Sequence, residues 1–327
     1  MDSSIDFDRL KARGRQFGGC KLAWEYTKLG LAWVIAKQTT KCIVGRRSFK
    51  AIYPSILAKV EPMLVEKYLN ASDANGVSYP LVEDDSEPKT RIWWCWLQGY
   101  DTAPDLAKVC LSSLKQLNTE VVIIDKNNYR DWVRLPYFIV EKYHKGIIPQ
   151  ALMSDLLRLE LLLQYGGVWI DSTVLCTGRE SAKFSPSWDA ICEAELFVFQ
   201  YTRPDERWTG NIGNWFIASK RGNPLLLELR NALYRYWSEN NCVLDYYIFH
   251  LFFAELAKRY PNLIKSMPYG WAAPCLQLRN RLNKEYNEDV WLKIQTHTSW
   301  HKISSRIQAN VVADKDNFYN KILESQI

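Results

Sequence analysis

The stretch Ser154-Asp155-Leu-Leu-Arg158-Leu-Glu-Leu-Leu-Leu-Gln-Tyr165-Gly166-Gly167-Val168-Trp169-Ile170-Asp171-Ser172-Thr173 decides the fold. Its first part predicts a strong helix opened by Ser154, the glycine pair ends that helix, and Val168 to Ile170 predicts a short buried strand. The strand feeds Asp171, so a carboxylate stands at a strand's C-terminal end, the edge where open α/β sheets bind ligands. Asp155 and Arg158 fall one helical turn apart, where an acid and a cation can address a polar ligand. At the strand tip, Asp171 can coordinate a divalent ion that bridges a diphosphate. Taken singly, Asp155 and Arg158 would be read as an ordinary surface pair; the joint pattern carries the functional reading.

Working upstream, Arg91 to Leu97 (R-I-W-W-C-W-L) is a β-rich apolar run stopped by Gln98-Gly99. Pro104 to Leu117 fits a helix with Leu106, Val109, Cys110 and Leu114 on one face, and Val121 to Ile124 is a second buried strand ended by Asp125. Strand, helix, strand in this order predicts parallel strands. Downstream, Glu195 to Tyr201 and Asn214 to Ala218 read as strands, and Pro224 to Glu239 and Leu244 to Arg259 as helices. The last ~45 residues read as irregular, able to fold back as a lid. Asn70 to Lys89, polar and acidic with Gly76, Pro80 and Pro88, reads as a linker. The expected organisation is therefore a basic helical extension over residues 1–89 and an α/β domain over 90–327.

Composition supports a folded chain: 327 residues, 47% hydrophobic and 24% charged, enough to bury a sizeable core. The 14 Trp and 18 Tyr are a compositional hint of sites that hold sugars or nucleotides. Net charge is +6, yet residues 1–60 hold twelve Lys or Arg against Asp2, Asp6, Asp8 and Glu25, so this end carries +8 and the remainder −2. Leu22, Tyr26, Leu29, Trp33 and Ala36 recur there at helical spacing with Lys21, Lys28, Lys37 and Lys41 at the rim, which predicts an amphipathic helix. An anionic membrane surface is one expected partner; a helix packed on the catalytic domain is the equal alternative. Nucleic acid is not expected, because no recognised nucleic-acid module accompanies the basic end. The uncharged run Leu29 to Ala36 is far shorter than the ~20 residues of a membrane span, and Met1 to Asp6 lacks a secretory n-region. A cytoplasmic location, with peripheral attachment to the inner face of the plasma membrane, is the expectation. Eight cysteines are scattered singly and read as buried small hydrophobes.

From Ile92 to Leu175 the chain resembles the capsular polysaccharide synthesis glycosyltransferases, relatives of the DXD-containing sugar transferases of glycosyltransferase family 32, which have a GT-A fold. The matching residues are Ile92-Trp-x-x-Trp96-x-Gln98-Gly99, Pro104, Cys110-x-x-Ser113, Ser154-Asp155-Leu-Leu-Arg158 and Tyr165-Gly-Gly-Val-Trp-Ile-Asp171-Ser-Thr173. The resemblance implies an α/β, Rossmann-like mixed sheet flanked by helices. The expected reaction is transfer of a sugar from a nucleotide diphosphate sugar, UDP-linked, to a saccharide hydroxyl, for which the resemblance implies retention; the basic N-terminal end makes a lipid-linked acceptor one form of the expectation.

In that family pattern Asp171 meets a Mn²⁺ or Mg²⁺ ion and the donor's ribose or diphosphate, while Asp155 and Arg158 hold the donor sugar or its phosphates. Trp96, Gln98, Gly99 and Asp125 fall where the fold binds the nucleoside. Thr173 stands where the broader pattern has a second Asp, which weakens the expected metal site. The C-terminal His297-Thr-Ser-Trp300-His301-Lys302 is the expected source of what completes it: His297 or His301 on the metal, Trp300 and Lys302 on the donor. Asn211 and Asp245 match the residues flanking the transferred sugar, although Asp245 fits equally well as a helix cap. Two other classes stay open from the residues alone: a transferase-like saccharide-binding protein and a metal-dependent phosphotransferase.

Overall fold

The computed structural model describes residues 24–27, 31–33, 36–37, 40, 53–70, 90–304 and 316–324. The proposed linker after Asn70 and most of the basic extension, including Leu22 and Leu29, lie outside them. The chain forms two compact units, one of residues 1–79, 135–156 and 228–256, the other of residues 80–134, 157–227 and 257–327.

The second unit holds a five-stranded sheet in the order β2-β1-β3-β6-β5, with β1 Arg91–Cys95, β2 Glu120–Ile124, β3 Gly167–Ile170, β5 Leu196–Gln200 and β6 Ile212–Ser219. β2, β1 and β3 run parallel, and β6 and β5 add antiparallel neighbours. The sheet is mixed and flanked by helices, as the resemblance implies. β1 lies between β2 and β3, and Ile92, Trp93 and Trp94 are all fully buried, the signature of a strand covered on both faces. A second, two-stranded sheet pairs β4 Val174–Cys176 with β7 Trp300–Lys302, antiparallel.

The glycine pair sets where β3 lies. Gly166, at φ +69°, closes the Gln150–Tyr165 helix, its N–H donating to Leu162 O at 2.9 Å, a left-handed ending that favours glycine. Gly167, at φ +93°, lets β1 come close: a Cβ there would stand 2.5 Å from Arg91 O. The Trp93 indole donates to Gly166 O at 2.8 Å, tying the turn to β1.

The Pro224–Glu239 helix has the predicted bounds, and the Gln150–Tyr165 helix starts four residues before Ser154. The helix expected over 244–259 is the shorter Ile248–Ala257. The C-terminal expectation needs correction, because the described residues there include regular elements: a Glu288–His297 helix, β7 and a Phe318–Leu323 helix. Asn287 caps the first by accepting from Val290 N, with Glu288 and Asp289 in its first turn, the charges a helix N-terminus favours. Trp291, Ile294, Ile303, Phe318 and Ile322 then bury themselves with Leu106, Cys110 and Leu278.

The first unit is helical. Tyr53–Val65 continues as a wider turn over Glu66–Asn70. Tyr26 is buried and donates to Leu244 O at 2.6 Å, while Trp24 and Trp33 are 61% and 75% exposed. Among the described residues no helix is long and apolar enough to cross a membrane.

Candidate active site

The parallel strands β2, β1 and β3 end in the same direction, and three polar features stand at those ends: Asp125, the Trp96–Gly99 turn, and Asp171. Asp125 is held by its own loop. Its Oδ1 accepts from the N–H groups of Asn127 (2.7 Å) and Asn128 (3.2 Å), and its N–H donates to Asn128 Oδ1 at 2.8 Å. Lys126 N–H donates to Leu97 O, which ties this loop to the neighbouring one. Gly99 adopts φ +104°, and a Cβ placed on it would lie 4.0 Å from Asp125 Oδ2. Gly99 and the Asp125 carboxylate therefore face each other, and the Trp96 indole, partly exposed, donates to Thr102 Oγ1 at 3.2 Å. The nucleoside-site residues expected from the sequence are brought together, with Gln98 exposed beside them.

Asp171 is fixed at both backbone and side chain. Its N–H donates to Trp215 O on β6 at 2.8 Å. Its Oδ1 accepts from the Trp169 indole at 2.9 Å and from Arg158 Nη2 at 3.3 Å, and its Oδ2 accepts from Lys302 Nζ at 2.7 Å. Lys302 Nζ also donates to Thr173 Oγ1 at 2.8 Å. Arg158, only 4% exposed at its side chain, spends Nη1 on Asn214 O at 2.6 Å and lays its guanidinium 4.9 Å from the Trp169 ring centroid. Burial pushes the Asp171 carboxyl up, but the Lys302 and Arg158 charges and the hydrogen bonds from Lys302 and Trp169 outweigh it. The net effect holds Asp171 below the usual carboxylate range, ionised at neutral pH. One carboxylate between two cations leaves a net positive cluster in which Asp171 and Lys302 are partly exposed, a charge suited to an anion.

Arg158, Asp171, Thr173 and Lys302 are thus brought together. Trp169 was missed by the sequence reading, yet alternation along a strand puts residues 169 and 171 on one face, which was signal enough. Three C-terminal candidates go elsewhere. His301 is fully buried, its Nε2 3.0 Å from Thr177 Oγ1 and its ring packed on Trp291; burial pushes its pKa down to about 3. The His297 ring packs on Phe184, with Nδ1 3.4 Å from Gln277 Oε1. Trp300 is buried against Phe216 and Trp188, so it is a core residue with no free face for a donor. For His301 the physical reason is strand alternation: Lys302 reaches Asp171, and the residue before it in β7 faces the other way.

The expected Mn²⁺ or Mg²⁺ has a poor match here. Around Asp171 the oxygen donors are one carboxylate and one hydroxyl, both already bonded to a lysine, with an arginine alongside. Among the described residues no group of three His, Cys, Asp or Glu is gathered for a metal. Hard divalent cations take several oxygen ligands, and here both available oxygens already accept from Lys302. The donor set does not fit the ion.

Asn211 is exposed; its O accepts from Tyr201 N, closing the loop between β5 and β6. In the helical unit, Asp155 is buried within its helix. Asp245 is 1% exposed, with Oδ1 accepting from Tyr247 N at 2.8 Å, a turn that leads into the Ile248–Ala257 helix. Burial, with a smaller push from the Glu61 charge, raises Asp245 to about 6 against the opposing Tyr247 hydrogen bond.

A mixed α/β sheet with charged and polar side chains gathered at the C-terminal ends of its parallel strands has the layout in which open α/β folds bind ligands. The chain belongs to the capsular polysaccharide synthesis protein family, whose pattern it matches over residues 54–322. Among solved structures it is similar to the PaToxG glycosyltransferase, at 15% identity and a TM-score of 0.33, covering 64% of this chain and 80% of that one. It is similar also to a glycosyltransferase involved in the glycosylation of the major capsid of PBCV-1, at 10% identity and a TM-score of 0.33, covering 73% of this chain and 100% of that one. No curated protein matches it.

Proposed function

We propose that this chain is a glycosyltransferase that moves a sugar from a nucleotide diphosphate sugar, UDP-linked, to a hydroxyl of a growing capsular saccharide, with retention at the anomeric carbon. The observation that carries the reading is Asp171 held between Arg158 and Lys302 at the C-terminal ends of the parallel strands, next along the sheet edge from the Gly99 and Asp125 pair. A nucleoside resting at Gly99, where no side chain intrudes, has its diphosphate directed toward the cations around Asp171.

In the reaction, the acceptor oxygen bonds to the anomeric carbon as the bond from that carbon to the phosphate oxygen breaks. The electron pair leaves with the phosphate, and the acceptor's proton passes to the departing phosphate oxygen on the same face. Products are the glycosylated acceptor and the nucleoside diphosphate, and no dedicated base is required. The protein's part is positioning and stabilising the developing negative charge. Arg158 and Lys302 supply positive charge, while Asp171 orients both. A divalent ion has no step in this scheme, because the oxygen donors at Asp171 do not suit one. Asn211 keeps the role the resemblance implies, beside the transferred sugar.

The acceptor is read as a lipid-linked saccharide at the cytoplasmic face of the membrane. The +8 of residues 1–60 and the exposed Trp24 and Trp33 support this, because basic and aromatic side chains favour anionic lipid surfaces. Deleting residues 1–60 is expected to abolish sedimentation with vesicles rich in anionic phospholipid; unchanged sedimentation sinks the membrane reading. For the transfer itself, a panel of UDP-, GDP- and CMP-sugars is assayed for release of nucleoside diphosphate with a saccharide acceptor. One UDP-sugar is expected to turn over, and silence across the panel argues for a saccharide-binding protein.

A further inference from the structure

We propose that Lys302, and not a bound divalent metal ion, is the cation that neutralises the diphosphate at Asp171. The inference deepens the sugar-transfer reading and rests on its assignment of the diphosphate to this site.

Four observations support it. First, the two oxygens that would face an ion from Asp171 and Thr173 converge on the Lys302 ammonium, at 2.7 and 2.8 Å. That uses two of its three N–H donors and leaves one for a ligand. Second, Lys302 is placed by strand pairing: it lies opposite Val174 in the β4–β7 ladder, and Ile303 N–H donates to Thr173 O at 2.9 Å. The ladder thus ties the lysine to the turn that carries Asp171 and Thr173, and buried Trp300 anchors the same strand. Third, Asp171 with Arg158 and Lys302 sums to +1 without an ion, because Thr173 contributes a neutral hydroxyl. Fourth, the histidines of the same segment do not join Asp171: His301 is bonded to Thr177, and His297 is packed on Phe184.

The test is calorimetric titration of the full chain with UDP in EDTA and in Mn²⁺, and with inorganic pyrophosphate in EDTA. UDP and pyrophosphate are expected to bind in EDTA, and Mn²⁺ is expected to change UDP affinity by less than about threefold. Lys302→Met should weaken both ligands in EDTA by about tenfold or more, while Lys302→Arg, which keeps the charge, should stay within about threefold. Unchanged melting temperatures establish that both variants fold. Binding of UDP only when Mn²⁺ is present, binding under neither condition, or wild-type affinity in Lys302→Met overturns the inference. The two readings fail separately: diphosphate binding in EDTA with no turnover of any donor sinks sugar transfer alone, whereas turnover that stops in EDTA and returns with Mn²⁺ sinks the lysine alone.

Discussion

Asp171 and Asp245 are both acids set into the fold, and their surroundings push them in opposite directions. Asp171 is 26% exposed at its side chain and meets a lysine, an arginine and an indole N–H; Asp245 is 1% exposed and accepts a hydrogen bond from the Tyr247 backbone N–H. The first is held ionised below the usual carboxylate range, and the second is raised to about 6. Burial acts on both. What separates them is whether cations compensate the lost hydration, and a carboxylate furnished with cations is the one arranged for chemistry on an anion.

The largest expected effect comes from emptying the furnished site of its charge. Asp171→Asn leaves Arg158 and Lys302 without their shared counter-ion, so both lose the orientation that aims them at the diphosphate. Turnover is expected to fall by about a hundredfold to a thousandfold, the scale of losing a preorganised electrostatic group, measured as nucleoside diphosphate released per enzyme.

Next comes the strand that delivers Asp171. Gly167→Ala sets a Cβ 2.5 Å from Arg91 O at φ +93°, so β1 and β3 must part or the turn must shift. A loss of about 2–4 kcal/mol of stability is expected, read from denaturant unfolding. An unchanged midpoint would break the argument that the glycine pair sets the strand's place.

Asp245 gives a smaller effect with the opposite sign. Its folded pKa of about 6 lies above the usual 3.8, so the folded state holds the proton more tightly. The stability this contributes is fully present below about pH 4 and is lost as pH rises through about 6. Asp245→Asn keeps the Oδ1 that accepts from Tyr247 and removes the buried charge. It is therefore expected to be more stable than the parent at pH 7 by about 2 kcal/mol, with the gap closing toward pH 4. Asp171 works the other way: its contribution is present above the usual carboxylate range and is lost as pH falls through its lowered value. A gap that widens on acidification would contradict the contrast.

How legible these two regions were follows from how local their determinants are. Residues 154–171 announce helix, stop, strand and acid within one continuous stretch, because the helix ending, the close approach at Gly167 and the strand tip all depend on neighbours in sequence. Lys302 was within reach as a donor contact, but its bond to Asp171 depends on the β4–β7 pairing, a contact across more than a hundred residues that periodicity does not reveal. The same strand explains why His301 was misplaced, because alternation turns it from the face on which Lys302 reaches Asp171, while Trp300, on the face of Lys302, is taken up by packing on Phe216 and Trp188. The ordered C-terminal helices were hidden by their short lengths and interrupted apolar spacing, although the Asn287 cap with Glu288 and Asp289 was readable.

The most direct test of the sugar-transfer account is the initial rate of nucleoside diphosphate release from a UDP-sugar panel, with a saccharide acceptor, by the parent chain and by Asp171→Asn at matched folding. The account predicts turnover of one UDP-sugar by the parent and its near-complete loss in the variant. Equal rates in the two proteins would contradict it, because chemistry indifferent to Asp171 cannot take place at the site Arg158 and Lys302 frame.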